Sequence, residues 1–312
     1  MELFIGLLIK LLPLYAYILL GYIVGRTLKV KKDDLAQILI YAILPVVTFH
    51  GAYTAPLDNS IWLLPLLMAV VCSIVSISFY FIGGKIWQDN TKNLLAFAAS
   101  YGNYGYFAVP AAIALFGTAI ESTAILAGFG FIIYSYTIGY FISALGSFTW
   151  KQSLQKTLKM PTIYAFVLGL ILNASQFKLP PVLAGIYPDV MRDFRGVFAL
   201  CGMMLLGIAI SEMLSFKPDW KFTAYAFLAQ FIIWPLLVFA VIAFDKNSLH
   251  MFSSQTYKVM FLFSLIPIGV NLIAFATQLK LKVETAAVTI MLSTLFAMFY
   301  IPIMVALLIN SF

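Results

Sequence analysis

Long apolar runs separated by short polar breaks dominate this chain of 312 residues. About 20 consecutive apolar residues make a helix long enough to span the ~30 Å hydrocarbon core of a bilayer. Ten segments fit that description, at 3–25, 35–54, 61–84, 93–116, 120–148, 160–175, 197–215, 222–244, 257–279 and 284–309. The expected fold is therefore an all-α integral membrane protein with ten transmembrane helices. Composition agrees: 63% of the residues are hydrophobic and 10% charged, against roughly 45–50% and about 25% in soluble domains. Such a chain has too little polar surface to cover a soluble core, and its natural partner is membrane lipid. The sixth run is the shortest. Between Gln176 and Gly196 lies the longest connection, with Pro180, Pro181 and Pro188, read as a loop holding a short interfacial helix.

The net charge of +7 does not imply nucleic acid, because basic loops on a membrane protein mark its cytoplasmic side. The odd-numbered loops carry thirteen Lys and Arg against five in the even-numbered ones, with Lys10 inside the first run. That bias puts the loops at 26–34 and 149–159 in the cytoplasm and both termini outside. The start, MELFIGLLIK, has no basic region or small-residue cleavage pattern of a signal peptide. The first run is thus read as the first span, with Lys10 snorkelling to the outer surface.

Weak internal symmetry accompanies this topology. Pro13-Leu-Tyr-Ala-Tyr-Ile-Leu-Leu-Gly21 in the first run matches Pro161-Thr-Ile-Tyr-Ala-Phe-Val-Leu-Gly169 in the sixth, and Glu121 and Glu284 open the fifth and tenth. The expectation is two five-helix repeats, 1–150 and 151–312, inverted relative to one another as in many secondary transporters.

Polar chemistry enters these runs at two corresponding places. The fourth reads Ser100-Tyr101-Gly102-Asn103-Tyr104-Gly105-Tyr106-Phe107-Ala108-Val109-Pro110, and the ninth Ser264-Leu265-Ile266-Pro267-Ile268-Gly269-Val270-Asn271. Breaking a helix inside a membrane leaves N–H groups unpaired on one half and C=O groups on the other. The N–H ends favour an anion, and an asparagine amide can bond either the backbone or a ligand. Paired interruptions at matching positions point to a transporter's binding site. For one segment alone, packing glycines and a kinking proline are a sufficient account. Candidate site residues are Gly102, Asn103, Tyr104, Gly105, Pro110, Pro267, Gly269 and Asn271.

Elsewhere the polar residues have structural readings. Thr118-x-x-Glu121 is a capping box, and Glu212 near Lys217 is interfacial. His50 is the one protonatable group at depth, a packing histidine or a coupling residue. Cys72 and Cys201 lie in apolar runs without metal spacing. No hydrolase, metal or nucleotide-loop motif occurs, so neither an enzyme nor a cofactor is expected.

On Asn103, Pro110 and Gly117 in the fourth helix, and Pro267, Gly269 and Glu284 around the ninth, the chain resembles the auxin efflux carrier family, with its plant PIN proteins and bacterial organic-acid permeases. It departs by carrying Gly102 where plant members have proline, and by joining spans five and six with about ten residues in place of a long loop. This looks like a compact microbial carrier. The resemblance implies crossover helices 4 and 9, a scaffold of helices 1, 2, 6 and 7, a mobile domain of helices 3–5 and 8–10, and a homodimer. It implies secondary transport of small organic anions by alternating access, with Asn103 on the carboxylate and Asn271 in support. The alternatives are a sodium-coupled symporter of the bile-acid type and a membrane-embedded receptor or sensor.

Overall fold

The structure is a computed structural model describing residues 2–54, 63–212 and 217–308. The expected run ends at 61, 215 and 309 fall outside them. All its elements are helical, apart from one isolated antiparallel bridge. The first run is α1 (Glu2–Leu28). The second is α2 (Lys32–Ile38) and α3 (Leu44–Thr54), joined by a π-turn at Leu39–Ile43; the third is α4 (Leu63–Gly84). The fourth breaks into α5 (Thr91–Ala98) and α6 (Val109–Phe116), with a π-turn at Tyr104–Ala108 before α6. The fifth is α7 (Glu121–Tyr134) and α8 (Tyr140–Ala144) around a further π-turn. There follow α9 (Trp150–Leu158), α10 (Pro161–Ala174) and α11 (Pro181–Ser211). The eighth run is α12 (Trp220–Leu228) and α13 (Trp234–Phe244) around a π-turn at Ala229–Ile233. The ninth breaks into α14 (Ser254–Leu265) and α15 (Asn271–Gln278), and the tenth is α16 (Val283–Leu308).

Among the described residues, six helical stretches are long and apolar enough to cross a bilayer, or seven if α9 and α10, bent by 44°, count as one. The fourth and ninth runs do not pass that test because each is two short helices.

Proline explains three of the π-turns. Pro45, Pro110 and Pro235 each stand two residues beyond the end of one. A proline inside a helix lacks an N–H and collides with the carbonyl four residues back. Widening the preceding turn relieves that collision without breaking the rod.

The structure corrects two local expectations. Residues 181–196 are not a loop: α11 runs unbroken through them, with Pro188 inside. Pro181 sits in its first turn, where a missing N–H costs nothing. The charges that suggested a loop lie along the helix, and Asp189 pairs with Arg192 one turn away at 2.9 Å. Residues 150–158, also expected as loop, form α9, opened by a capping box between Thr149 and Gln152. Trp150, Leu154 and Leu158 make an exposed apolar stripe on it. α7 has Ile120 at its N-cap behind a 3-10 turn at Thr118–Ile120; the side chains of the expected Thr118–Glu121 capping box lie outside the described residues. Glu212 pairs with Lys32, and its Oε1 also accepts the Lys32 backbone N–H at 2.9 Å.

Two seams frame the interior: α1 lies along α11, and α3 along α10. Glycine makes the first possible. A Cβ on Gly21 would stand 2.2 Å from the Met204 carbonyl oxygen, and one on Gly207 2.0 Å from that of Ile18. Small residues let membrane helices approach this closely, and dispersion between the backbones then holds them.

Candidate functional site

The two interrupted segments meet. Gly102 and Ile268 form the antiparallel bridge. Across it, the Asn103 N–H donates to the Pro267 carbonyl at 2.7 Å and the Gly269 N–H to the Tyr101 carbonyl at 2.8 Å. Each break thus satisfies part of the other's stranded backbone, as a water-free interior demands. Two glycines permit the approach. A side chain on Gly102 would strike Ile266 at 2.6 Å, and one on Gly269 the Tyr101 ring at 2.4 Å.

Neighbouring helices cap what the crossing leaves over. The Gln230 amide donates to the Ile266 carbonyl at 2.7 Å, and the Trp234 indole N–H to the Ala99 carbonyl at 2.9 Å. Those carbonyls terminate α14 and α5. Ser293 Oγ accepts the Ile268 N–H at 3.2 Å. Tyr101 stacks on Phe97 and takes a 3.2 Å hydrogen bond from the Asn271 side chain.

One candidate donor has no such partner. Asn103 is 3% exposed, and its Nδ2 finds no hydrogen-bond partner. Around it runs a narrow space between Gly102, Asn103, Tyr104, Gly105, Phe198 and Asn271. A wider cavity of about 220 Å³ shares Tyr104, Gly105 and Phe198 as walls. It is bounded by α3 along its whole length, by α7 and by the middle of α11. Gly105 opens the way, since a Cβ there would have no heavy atom within 4 Å.

The structure therefore gathers Gly102, Asn103, Tyr104, Gly105, Gly269 and Asn271 around one space, with Pro267 in the crossing strand. Pro110 lies apart, as the second residue of α6. The broken backbone offers less to a ligand than the sequence implied, because the Asn103 and Gly269 N–H groups are taken by the crossing. His50, distant in sequence, lines the wider cavity, with its Nδ1 3.0 Å from the Tyr187 hydroxyl.

Sequence reasoning missed Arg195 and Phe198 on the cavity wall, and Gln230 and Trp234 behind the crossing. Extending α11 back to Pro181 would have revealed the first two, at i and i+3 on one helix face. Nothing in sequence ties Gln230 and Trp234 to breaks so far away.

Comparison with known proteins fits this architecture. The chain is 24% identical over 304 residues to an uncharacterized transporter of Methanocaldococcus jannaschii, covering 94% of this chain and 96% of that one. It is 22% identical over 306 residues to an uncharacterized transporter of Methanothermobacter thermautotrophicus, covering 96% and 98%. Residues 7–305 match the family described as membrane transport protein. This multi-pass membrane protein belongs to that family, the family of the auxin efflux carriers.

Proposed function

We propose that this transporter carries small organic anions by alternating access, binding them beside the crossing of its fourth and ninth helices. The observation that carries the reading is the Asn103 amide, buried without a hydrogen-bond partner next to a space that shares Tyr104, Gly105 and Phe198 with a wider cavity. An orphan buried donor costs about 1–3 kcal/mol, and a ligand oxygen would remove that cost. Ten crossings, in two inverted repeats of five with both termini outside, fit the order of helices and the distribution of Lys and Arg. The seams support the division into a scaffold of helices 1, 2, 6 and 7 and a mobile domain of the rest. Inversion exchanges helix 1 with 6 and 2 with 7, so the α1–α11 and α3–α10 seams are counterparts. At the end of the second run away from the cavity, α15 packs on α2 and the Gln278 amide bonds the Tyr41 hydroxyl. A site open at one end and closed at the other suits one half of a transport cycle.

The test is equilibrium binding to purified full-length protein in nanodiscs, using benzoate, lactate, malonate and succinate. Asn103→Ala should weaken binding of whichever acid the wild type takes by about 10- to 150-fold, the worth of one hydrogen bond to a charged group. Gly105→Leu should fill the open space and abolish binding, with thermal stability kept. Wild-type affinity in both variants would remove the crossing as the site.

A further inference from the structure

The cavity beside the crossing has an asymmetric chemistry. Among the described residues that line it there is one arginine, Arg195, one histidine, His50, and no carboxylate. Most of the rest of the wall is apolar. Arg195 stands one turn before Phe198 on the same face of α11, and Phe198 borders both the cavity and the narrow space at Asn103. A guanidinium thus stands on the cavity wall one turn from Phe198, which also borders the space at the unpartnered amide.

Its acidic neighbours on α11 do not neutralise it. Asp189 and Asp193 face Arg192, at 2.9 and 4.0 Å. Arg195 makes no ion pair among the described residues. His50 is anchored through Nδ1 to Tyr187, which leaves Nε2 as its free ring nitrogen. Arg195 is exposed at the edge of this largely apolar cavity, where an incoming anion can reach it. Its planar fork suits a carboxylate, which it can hold with two parallel hydrogen bonds.

We propose that Arg195 is the charge-selecting residue of this carrier, admitting carboxylates and rejecting their neutral analogues. Asn103 supplies one hydrogen bond at the crossing, which an acid and an amide can both accept, the carboxylate more strongly. Arg195 supplies most of the discrimination, because only the acid gains a counter-charge from it. The proposal rests on the reading of the crossing as an organic-anion site and adds to it the residue that sets the class of cargo.

Binding to the full-length protein in nanodiscs tests this, with benzoate, lactate, malonate and succinate measured against benzamide, lactamide, malonamide and succinamide. The wild type should prefer at least one acid to its amide. Arg195→Gln should weaken that acid by about 10- to 150-fold and bring it most of the way down to the level of the amide. Arg195→Lys should restore part of the preference, since it keeps the charge and loses the fork. A merely structural Arg195 would instead lower acid and amide together, and that result overturns the proposal. So does an unchanged acid-to-amide ratio in Arg195→Gln while the wild type binds. A wild type that binds none of the four acids overturns the organic-anion reading itself, and this proposal with it.

Discussion

Gln230 and Trp234, one helical turn apart, hold the carbonyl ends of both broken helices, whereas Asn103 at the crossing has a side-chain donor that holds nothing. That contrast separates stability from binding, residue by residue. Gln230→Leu strands the Ile266 carbonyl in an interior that water does not reach, and Trp234→Phe does the same to Ala99. Each should cost about 1–3 kcal/mol and lower the thermal midpoint in detergent. Asn103→Ala removes an unsatisfied donor and should leave the midpoint unchanged or raise it. If Asn103→Ala falls as far as Gln230→Leu, its side chain braces the protein and is not reserved for a ligand. Sequence exposed these residues unequally, for a physical reason. Asn103 announces itself because glycines and a proline surround it within one run. Gln230 is a lone amide among apolar residues, and its purpose appears only when the ninth helix breaks beside it. Arg195 was hidden differently: its charged neighbours and Pro188 read as a loop, so it counted toward orientation and not toward the cavity.

At the scale of elements, apolar length missed α9 and the first half of α11, and it showed neither how the helices bend nor which ones touch. The π-turns before Pro45, Pro110 and Pro235 were written in the sequence, since the proline stands at the same offset from each. What escaped was the distinction between a proline that widens a turn and one, like Pro188, that a long membrane helix absorbs. The α1–α11 seam was also beyond reach, because Gly21 and Gly207 become partners only once the helices lie together. Glycine replacement along α11 separates these roles. Gly185 has open space around it, so Gly185→Ala should gain roughly 0.5–1 kcal/mol from helix propensity. Gly207→Ala drives a methyl group into the Ile18 carbonyl oxygen and should lose about 1–3 kcal/mol or more, as overpacking does. Thermal unfolding of both variants side by side measures the sign of each. A seam that tolerates Ala at 207 as well as at 185 would not depend on backbone contact.

For the molecule as a whole, the question is what drives the proposed cycle. Proton-coupled carriers hold Asp, Glu or His at depth, where an ionisable group is costly and therefore usually functional. Among the described residues bordering the crossing and its cavity there is no Asp or Glu. Glu212 meets Lys32 and Asp89 meets Lys282 at 2.8 Å at the ends of helices, and Asp189 meets Arg192 on the exposed face of α11. Among the described residues His50 is the one histidine or carboxyl group on the cavity wall, and the structure brings it closer to the crossing than its sequence position suggests. An anion alone can still be exported. A monoanion leaving a cell held at about 100 mV, inside negative, gains roughly 2.3 kcal/mol, which sustains an outward gradient of about fifty-fold. Coupling is then unnecessary for export, though concentrative uptake would require it. We therefore expect a membrane potential to move a bound acid without any pH gradient. Proteoliposomes carrying the full-length protein decide the matter when a potential alone, then a pH gradient alone, is imposed on a radiolabelled acid that the wild type binds. Flux under the potential that survives His50→Ala fits an uncoupled carrier, in which the cavity arginine balances the cargo and the field supplies the work. Flux that needs the pH gradient and vanishes in His50→Ala would reverse the assignment. The imidazole on the cavity wall, held through Nδ1 by Tyr187, would then be the group that carries the proton.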